Sequence, residues 1–508
     1  MRIFTKSQTD EIFQRTKEIE GISTLTLIER AGEGIAAEIC RRWPADTNVL
    51  VFAGWGNNGA DALATARLLM EKGYNTDIYL LNIGGDRLST ECRICRDKLL
   101  EEFPDVKLNE IIDRFSMPTI EKSDLVIDGI IGSGFTNPLT RSITMIVHSI
   151  NESGADVVSI DLPTGMLPEW NLNSISSDIV HATLTMAIGF ARLAFFINDN
   201  ADIIGEYKVL HLDLNRQVIR QTPYTFYLFT RADARTVLIP RWLDASKADY
   251  GSALICAGSY GMMGAAVLAC KSAMRSGAGK VTCYAPRCGY NVLQTAVPSV
   301  MFLRDPHETI ISEISLHYDY QAIAIGPGIG TDYITINALE NFLKLQSANH
   351  RPLIIDADAL NCISLRPIML KYIPPMSVIT PHAGEFDRLF GPQTSCEARL
   401  RTAIEKSVEF NIVIVLKGRY TSVVRPDGRI YINDSGSPAL ATAGTGDCLT
   451  GVIAGLMAQG ISPELAATIG AYIHGRSGEI CAEIHGTYGT TAEDVAENIG
   501  RAIKSIMD

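Results

Sequence analysis

The chain has 508 residues, 46% hydrophobic and 20% charged, a composition that excludes a disordered or fibrous protein. Its 45 basic and 57 acidic residues give a net charge of −12, which argues against nucleic acid or an anionic membrane as the main partner. At about 150 residues per domain, the length implies two or three cores.

The first twenty residues carry charge throughout, so no signal-peptide core is expected. The longest uncharged stretches, such as Cys448 to Pro463, are too short and too broken by Gly and Pro to span a bilayer. The eleven cysteines are odd in number and lack disulfide-like spacing, which predicts reduced thiols in a cytoplasm. Cys92 and Cys95 form the only C-x-x-C; with no further ligands nearby, they read as two thiols on a helix.

In chain order, Thr24 to Arg42 reads as a helix, with Leu27, Ala31, Ile35 and Ile39 on one face. Asn48 to Ala53 is an apolar run and hence a buried strand. It leads into a glycine-rich loop, Gly54 to Asp61, then a helix from Ala62 to Lys72 closed by Gly73. Strands are expected at Thr76 to Leu81, Asp124 to Ile127, Asp156 to Ile160 and Ala182 to Ile188. This order predicts a Rossmann-like doubly wound sheet, in which ligands sit at the carboxyl ends of the strands.

Three polar clusters fall there: Asn57, Asn58 and Asp61; Asp128 with Gly132-Ser133-Gly134; and Asp161 within Ser159 to Gly165. Each alone reads equally as a turn former. Together they favour a pocket, and their oxygens suit a hard cation. The loop lacks the G-x-G-x-x-G dinucleotide fingerprint.

These three stretches, with Leu27 to Gly32, resemble the NAD(P)H-hydrate epimerase domain. That family interconverts the two epimers of hydrated NADH and NADPH. The resemblance implies hydrate contacts at Asn57, Asn58, Gly59, Ala60 and Asp61, at Gly132, Ser133, Gly134, Phe135, Thr136, Asn137 and Pro138, and at Asp161. It implies potassium near Asn58, Asp128 and Thr164. Asp161 is the candidate proton carrier, because epimerisation breaks and remakes a bond at a hydroxyl-bearing carbon. The chain has Ala60 and Ala62 where the family usually has glycine. A substrate approaching that backbone would meet the Ala60 methyl.

Asp213 to Asp249 shows no clear period, and a boundary is placed near Thr222, dividing the chain into residues 1–221 and 222–508. The second half is again read as α/β. Strands are expected at Ser252 to Ala257, Lys280 to Ala285, Ala322 to Ile325, Leu353 to Ile355, Val378 to Thr380 and Ile412 to Leu416, with a small-residue helix over Gly264 to Ser276. Pro426-Asp427-Gly428 marks a hairpin. Functional signals sit at strand ends: Gly326 to Gly330, Asp356 to Leu360, Thr380 to Glu385 and Lys417-Gly418. His382 reads equally as a backbone-satisfied cap or a functional group. Lys417 suits a nucleotide phosphate.

Ala443-Gly444-Thr445-Gly446-Asp447 opens a helix predicted over Cys448 to Gln459. A glycine turn there leaves backbone N–H groups free, and with the helix dipole they attract an anion. An idle carboxylate beside a phosphate would repel it. Asp447 is therefore read as a base that takes a hydroxyl proton while the N–H groups steady the phosphoryl group.

The ordered series from about Lys247 to the end resembles the ADP/ATP-dependent NAD(P)H-hydrate dehydratase of the ribokinase-like superfamily. The resemblance implies hydrate contacts at Ala265, Gly328, His382 and Asp447. It implies adenine-nucleotide contacts at Lys417, Gly418, Arg419, Tyr420, Thr421 and Gly446, with magnesium. The expected protein is a two-domain repair enzyme that epimerises hydrated NAD(P)H and dehydrates the S form, using ADP (or ATP) and K+. A homo-oligomer is expected, without nucleic-acid or membrane partners. Two rivals remain: a ribokinase-like kinase of a vitamin precursor, and a non-catalytic scaffold or RNA-binding first half.

Overall fold

The computed structural model describes residues 1–113, 116–135, 138–316 and 318–508. The chain forms two compact units, one from Ile3 to Tyr224 and the other from Thr225 to Asp508 together with Met1 and Arg2. The division lies just past the expected boundary at Thr222, and the first two residues join the second unit.

The first unit holds a seven-stranded sheet. Its order is Lys107–Ile111, Thr76–Leu81, Val49–Ala53, Leu125–Gly129, Asp156–Ile160, Leu184–Ile188 and Glu206–Leu210, with every pair parallel. The two central strands are buried along their whole length, as apolar runs covered on both faces must be. Strand order reverses between Val49–Ala53 and Leu125–Gly129, which opens a crevice at their carboxyl ends. Lys107–Ile111 and Glu206–Leu210 escape a hydropathy reading because they lie at the sheet edges and alternate with exposed charged residues.

The second unit holds an eleven-stranded mixed sheet. It runs Arg2–Ile3, Phe226–Phe229, Ile430–Asn433, Ser422–Val424, Val413–Leu416, Val378–Ile379, Ile354–Ile355, Ala322–Ile325, Ser252–Cys256, Lys280–Ala285 and Met301–Arg304. Ser422–Val424 pairs antiparallel with both neighbours, forming the expected hairpin with Ile430–Asn433. Its reversal point lies between Ser252–Cys256 and Ala322–Ile325. The region expected to be aperiodic contains helices Arg216–Gln221 and Arg231–Val237 and the strand Phe226–Phe229. That strand's partner, Ile430–Asn433, lies far along the chain, so no local signal marks it.

Helix Thr445–Ala458 packs tightly on Met263–Arg275. A Cβ on Gly451 would stand 2.1 Å from the Ala269 carbonyl oxygen, and one on Gly455 2.0 Å from Ser276 Oγ. The glycines in this helix therefore serve close approach, although they weaken helical propensity. Among the described residues no helix is long and apolar enough to cross a membrane. All eleven cysteines are free. Burial pushes the Cys92 and Cys95 thiols up to about 12, and no metal cluster of His, Cys, Asp or Glu occurs among the described residues.

Candidate active sites

In the first unit, helix Asn57–Glu71 begins at Asn57, five positions before the expected Ala62, with Gly56 as its N-cap. The later part of the supposed loop, Asn57 to Asp61, is thus the first turn and a half of a helix. The expected start is wrong because Asn58 does not compete for its own backbone. Its amide, turned to satisfy both neighbours, donates to the Ile160 carbonyl and accepts from the Gly132 N–H, each at 3.1 Å. The Gly56 cap contributes no side-chain bond to the first-turn N–H groups.

That helix end opens onto a cavity of about 800 Å³. Asn57, Asn58, Asp61, Gly132, Ser133, Gly134, Phe135, Pro138 and Asp161 line it. Gly59 and Ala60 do not; the Ala60 methyl is fully buried in the core beneath the helix, so it crowds nothing in the cavity. Thr136 and Asn137 lie outside the described residues.

Asp161 sits at φ +64°, a left-handed conformation costly for a non-glycine residue. Its Oδ1 accepts from Arg192 Nη2 at 2.8 Å and its Oδ2 from the Ser133 N–H at 2.9 Å. Burial pushes this carboxyl up, but the Arg192 charge and the bonds from Arg192 and Ser133 outweigh burial and hold it below the usual carboxylate range. Asp61 behaves oppositely, with burial first and the Asp161 charge second raising it well above that range. Arg192 is 2% exposed and also donates to Thr9 Oγ1 at 3.1 Å. Sequence reasoning passed it over, yet a lone charge between Ala182 and Ile197 had to find a partner if buried.

Asp128 is fully buried. Its carboxylate accepts from Ser159 Oγ (2.8 Å), the Thr164 N–H (2.8 Å), Thr164 Oγ1 (2.6 Å) and the Ile130 N–H (3.4 Å). Burial raises this carboxyl despite those bonds. The Ile131 carbonyl lies 3.3 Å from Thr164 Oγ1. Carboxylate, hydroxyl and carbonyl oxygens form a hard donor set that fits a cation such as potassium.

In the second unit, helix Thr445–Ala458 starts three residues before the expected Cys448. Gly444, at φ +92°, forms the N-cap without a side-chain bond, and Asp447 lies inside the first turn. Asp447 is therefore not the cap. Around it stand Asp356, Asp358, Glu385 and Lys417. Burial, then Asp356, push its carboxyl up to about 7; Lys417 opposes them, and Asp358 and Glu385 add smaller upward pushes. Asp356 and Asp358 flank Ala357, another strained residue at φ +49°.

Lys417 Nζ donates to Asp356 Oδ1 at 3.1 Å and lies 3.8 Å from Glu385 Oε2. Lys417 to Thr421 form the turn between Val413–Leu416 and Ser422–Val424, with the Arg419 guanidinium 5.3 Å from the Tyr420 ring centroid and Thr421 Oγ1 bonded to the Gly418 carbonyl. His382 is a helix cap: Nδ1 accepts from the Gly384 and Glu385 N–H groups, while Glu385 accepts from the His382 N–H. Its Nε2 lies 3.5 Å from Glu385 Oε1, and the side chain is about half exposed. Ala265 and Gly328 meet, since a Cβ on Gly328 would stand 3.0 Å from the Ala265 Cβ. His474, buried in helix Pro463–Gly489, is lowered to about 4, chiefly by burial, and stays neutral. Asp356, Asp358 and Glu385 supply oxygen donors, but each is already engaged. That suits magnesium arriving with nucleotide phosphates and keeping its waters, not a protein cage.

Two α/β units, each with a helix N-terminus that lacks a side-chain cap and with perturbed carboxylates beyond the carboxyl ends of its strands, define an enzyme with two separate sites. The family described as NAD(P)H-hydrate dehydratase matches residues 253–501, and that described as YjeF-related protein N-terminus matches residues 24–194. The bifunctional NAD(P)H-hydrate repair enzyme Nnr of Moorella thermoacetica is 30% identical over 531 residues, covering 100% of this chain and 98% of that one. The protein of the same description from Escherichia coli K12 is 30% identical over 505 residues, covering 97% of this chain and 93% of that one. The crystal structure of an ADP/ATP-dependent NAD(P)H-hydrate dehydratase from Bacillus subtilis, co-crystallised with ATP/Mg2+, is 31% identical at a TM-score of 0.48, covering 55% of this chain and 98% of that one.

The chain belongs to the bifunctional NAD(P)H-hydrate repair enzymes. It is a bifunctional enzyme, an NAD(P)H-hydrate epimerase and dehydratase.

Proposed function

We propose that the first unit epimerises the hydrate in its cavity and that the second dehydrates the S epimer at Asp447. The observation that carries this is Asp447 on the first turn of an uncapped helix, its carboxyl pushed up to about 7. A base near that value both holds its charge near neutral pH and accepts a proton readily. Asp447 takes the proton of the hydrate's ring hydroxyl. The hydroxyl oxygen attacks the terminal phosphorus of ADP, and AMP departs. The new phosphate ester then leaves with its bonding electrons as a ring proton is lost, restoring the double bond and releasing phosphate. The N–H groups of Gly444 to Gly446 and the Lys417 ammonium meet the charge on the transferring group. Magnesium, when bound with the nucleotide, supplies further charge neutralisation.

Ala265, Gly328 and the half-exposed His382 hold the hydrate, and Lys417 to Thr421 with Gly446 hold the nucleotide. In the epimerase, Asp161 faces the hydroxyl-bearing carbon and carries the proton. Asn58, Asp128 and Thr164 would hold potassium, which would supply a fixed positive charge beside a buried carboxylate. The test is incubation of hydrated NADH with ADP or ATP. Return of the reduced-nicotinamide absorbance, with AMP formed from ADP, is expected; phosphorylation of a vitamin precursor without that return would favour an ordinary kinase.

A further inference from the structure

Lys417 reaches the second site with its ammonium already directed. One N–H points at Asp356 Oδ1, 3.1 Å away, and Glu385 Oε2 lies 3.8 Å from Nζ. An ammonium has three donors. A Cβ on Gly446 would stand 3.2 Å from Nζ, so the bare glycine leaves space beside the ammonium for a ligand oxygen.

Asp356 is 1% exposed, and its second oxygen accepts from Thr450 Oγ1 at 2.6 Å. Thr450 is itself fully buried. Gly446 and Thr450 are four apart on one helix and share a face. Both Asp356 oxygens are thus committed, one to the ammonium and one to the helix that carries the anion site. Beyond its part in raising Asp447, Asp356 bears on the proposed chemistry through Lys417.

We propose that Asp356, oriented by Thr450, is the positioning residue that holds Lys417 toward the transferring phosphoryl group and off the base Asp447. The proposal rests on the dehydratase reading above. Without Asp356, the ammonium is left with Glu385 and Asp447, both already coupled to it. A Lys417–Asp447 pair would tie up the base.

A double-mutant cycle tests this, using dehydration of hydrated NADH with ADP and with ATP. Asp356→Asn should lower kcat about 100-fold, the scale of losing one preorganised charge contact. KM for the hydrate should stay within about twofold, and in a Lys417→Met background Asp356→Asn should change kcat by less than about twofold. Thr450→Val should lower kcat about tenfold, with Thr450→Ser restoring it to within about twofold of wild type. A full Asp356→Asn effect in the Lys417→Met background would overturn the proposal, as would wild-type kcat in Thr450→Val. The threonine pair keeps the test decisive should Asp356→Asn fail to fold. A wild-type chain inactive on the hydrate with either nucleotide would instead remove the dehydratase reading, and the proposal with it.

Discussion

The two sites are built alike and charged differently. The first lies where strand order reverses and the second beyond the ends of Ile354–Ile355, Val378–Ile379 and Val413–Leu416, and each opens on a helix whose first N–H groups lack a side-chain cap. In the first, Asp161 is gripped by Arg192 and Ser133 and kept low. In the second, burial and Asp356 raise Asp447 to about 7. The first unit thus holds a pinned anion at a strand end, and the second a poised base in the first turn of a helix. The charges and burial around each carboxylate set its state.

The largest test of that contrast is reciprocal inactivation. Asp447→Asn should cut dehydration by about 10²–10⁴-fold and leave epimerisation unchanged, and Asp161→Asn should do the reverse. The two rates are read separately from hydrate enriched in each epimer. Loss of both rates in one folded variant would refute the division of labour.

Arg192→Met should follow in size. It strands Asp161 as a buried, unpaired charge, so the first unit should lose about 3–5 kcal/mol in denaturant unfolding, a large fraction of the about 5–15 kcal/mol of a typical domain. An unchanged midpoint would mean that Asp161 is stabilised by something other than the guanidinium.

A gentler probe is pH. Dehydration kcat/KM should fall below about pH 7 as Asp447 becomes protonated. Epimerisation should show no limb from Asp161 in that range, because its folded value is lowered. The stability signs also differ. Asp447's contribution is present below the usual carboxylate range and is lost as pH rises toward 7, whereas Asp161's is present above that range and is lost as pH falls through its lowered value. Thermal melts of the two single variants across pH 3–8, set against wild type, would show both slopes.

The smallest effect concerns the thiols. Cys40 is exposed, whereas Cys92 and Cys95 are buried and pushed up to about 12. Iodoacetamide at mildly alkaline pH should modify Cys40 without changing either rate, and peptide mapping would find Cys92 and Cys95 unmodified.

Much of the fold was legible because parallel strands are continuous apolar runs: Val49–Ala53, Leu125–Gly129 and Ala322–Ile325 all announce themselves. The hairpin at Pro426-Asp427-Gly428 was legible from its turn residues. Less legible were places where the winning interaction is distant in sequence. Asn58 looked like a loop former, yet Gly132 and Ile160 take its amide and free its backbone for a helix. Phe226–Phe229 became a strand because Ile430–Asn433 lies beside it. Thr450 gave no signal, since a buried threonine in a small-residue helix looks like packing until Asp356 is seen to accept its hydrogen.

By itself, then, the amino-acid order determined two α/β units, the glycine corner before Asp447 and the polar clusters at the strand ends, because strand burial and turn chemistry are local properties. Tertiary structure decided which carboxylates are held as anions and which are raised, and which lysine and arginine face them. Desolvation and ion pairing depend on neighbours tens or hundreds of residues away, and no local pattern records them.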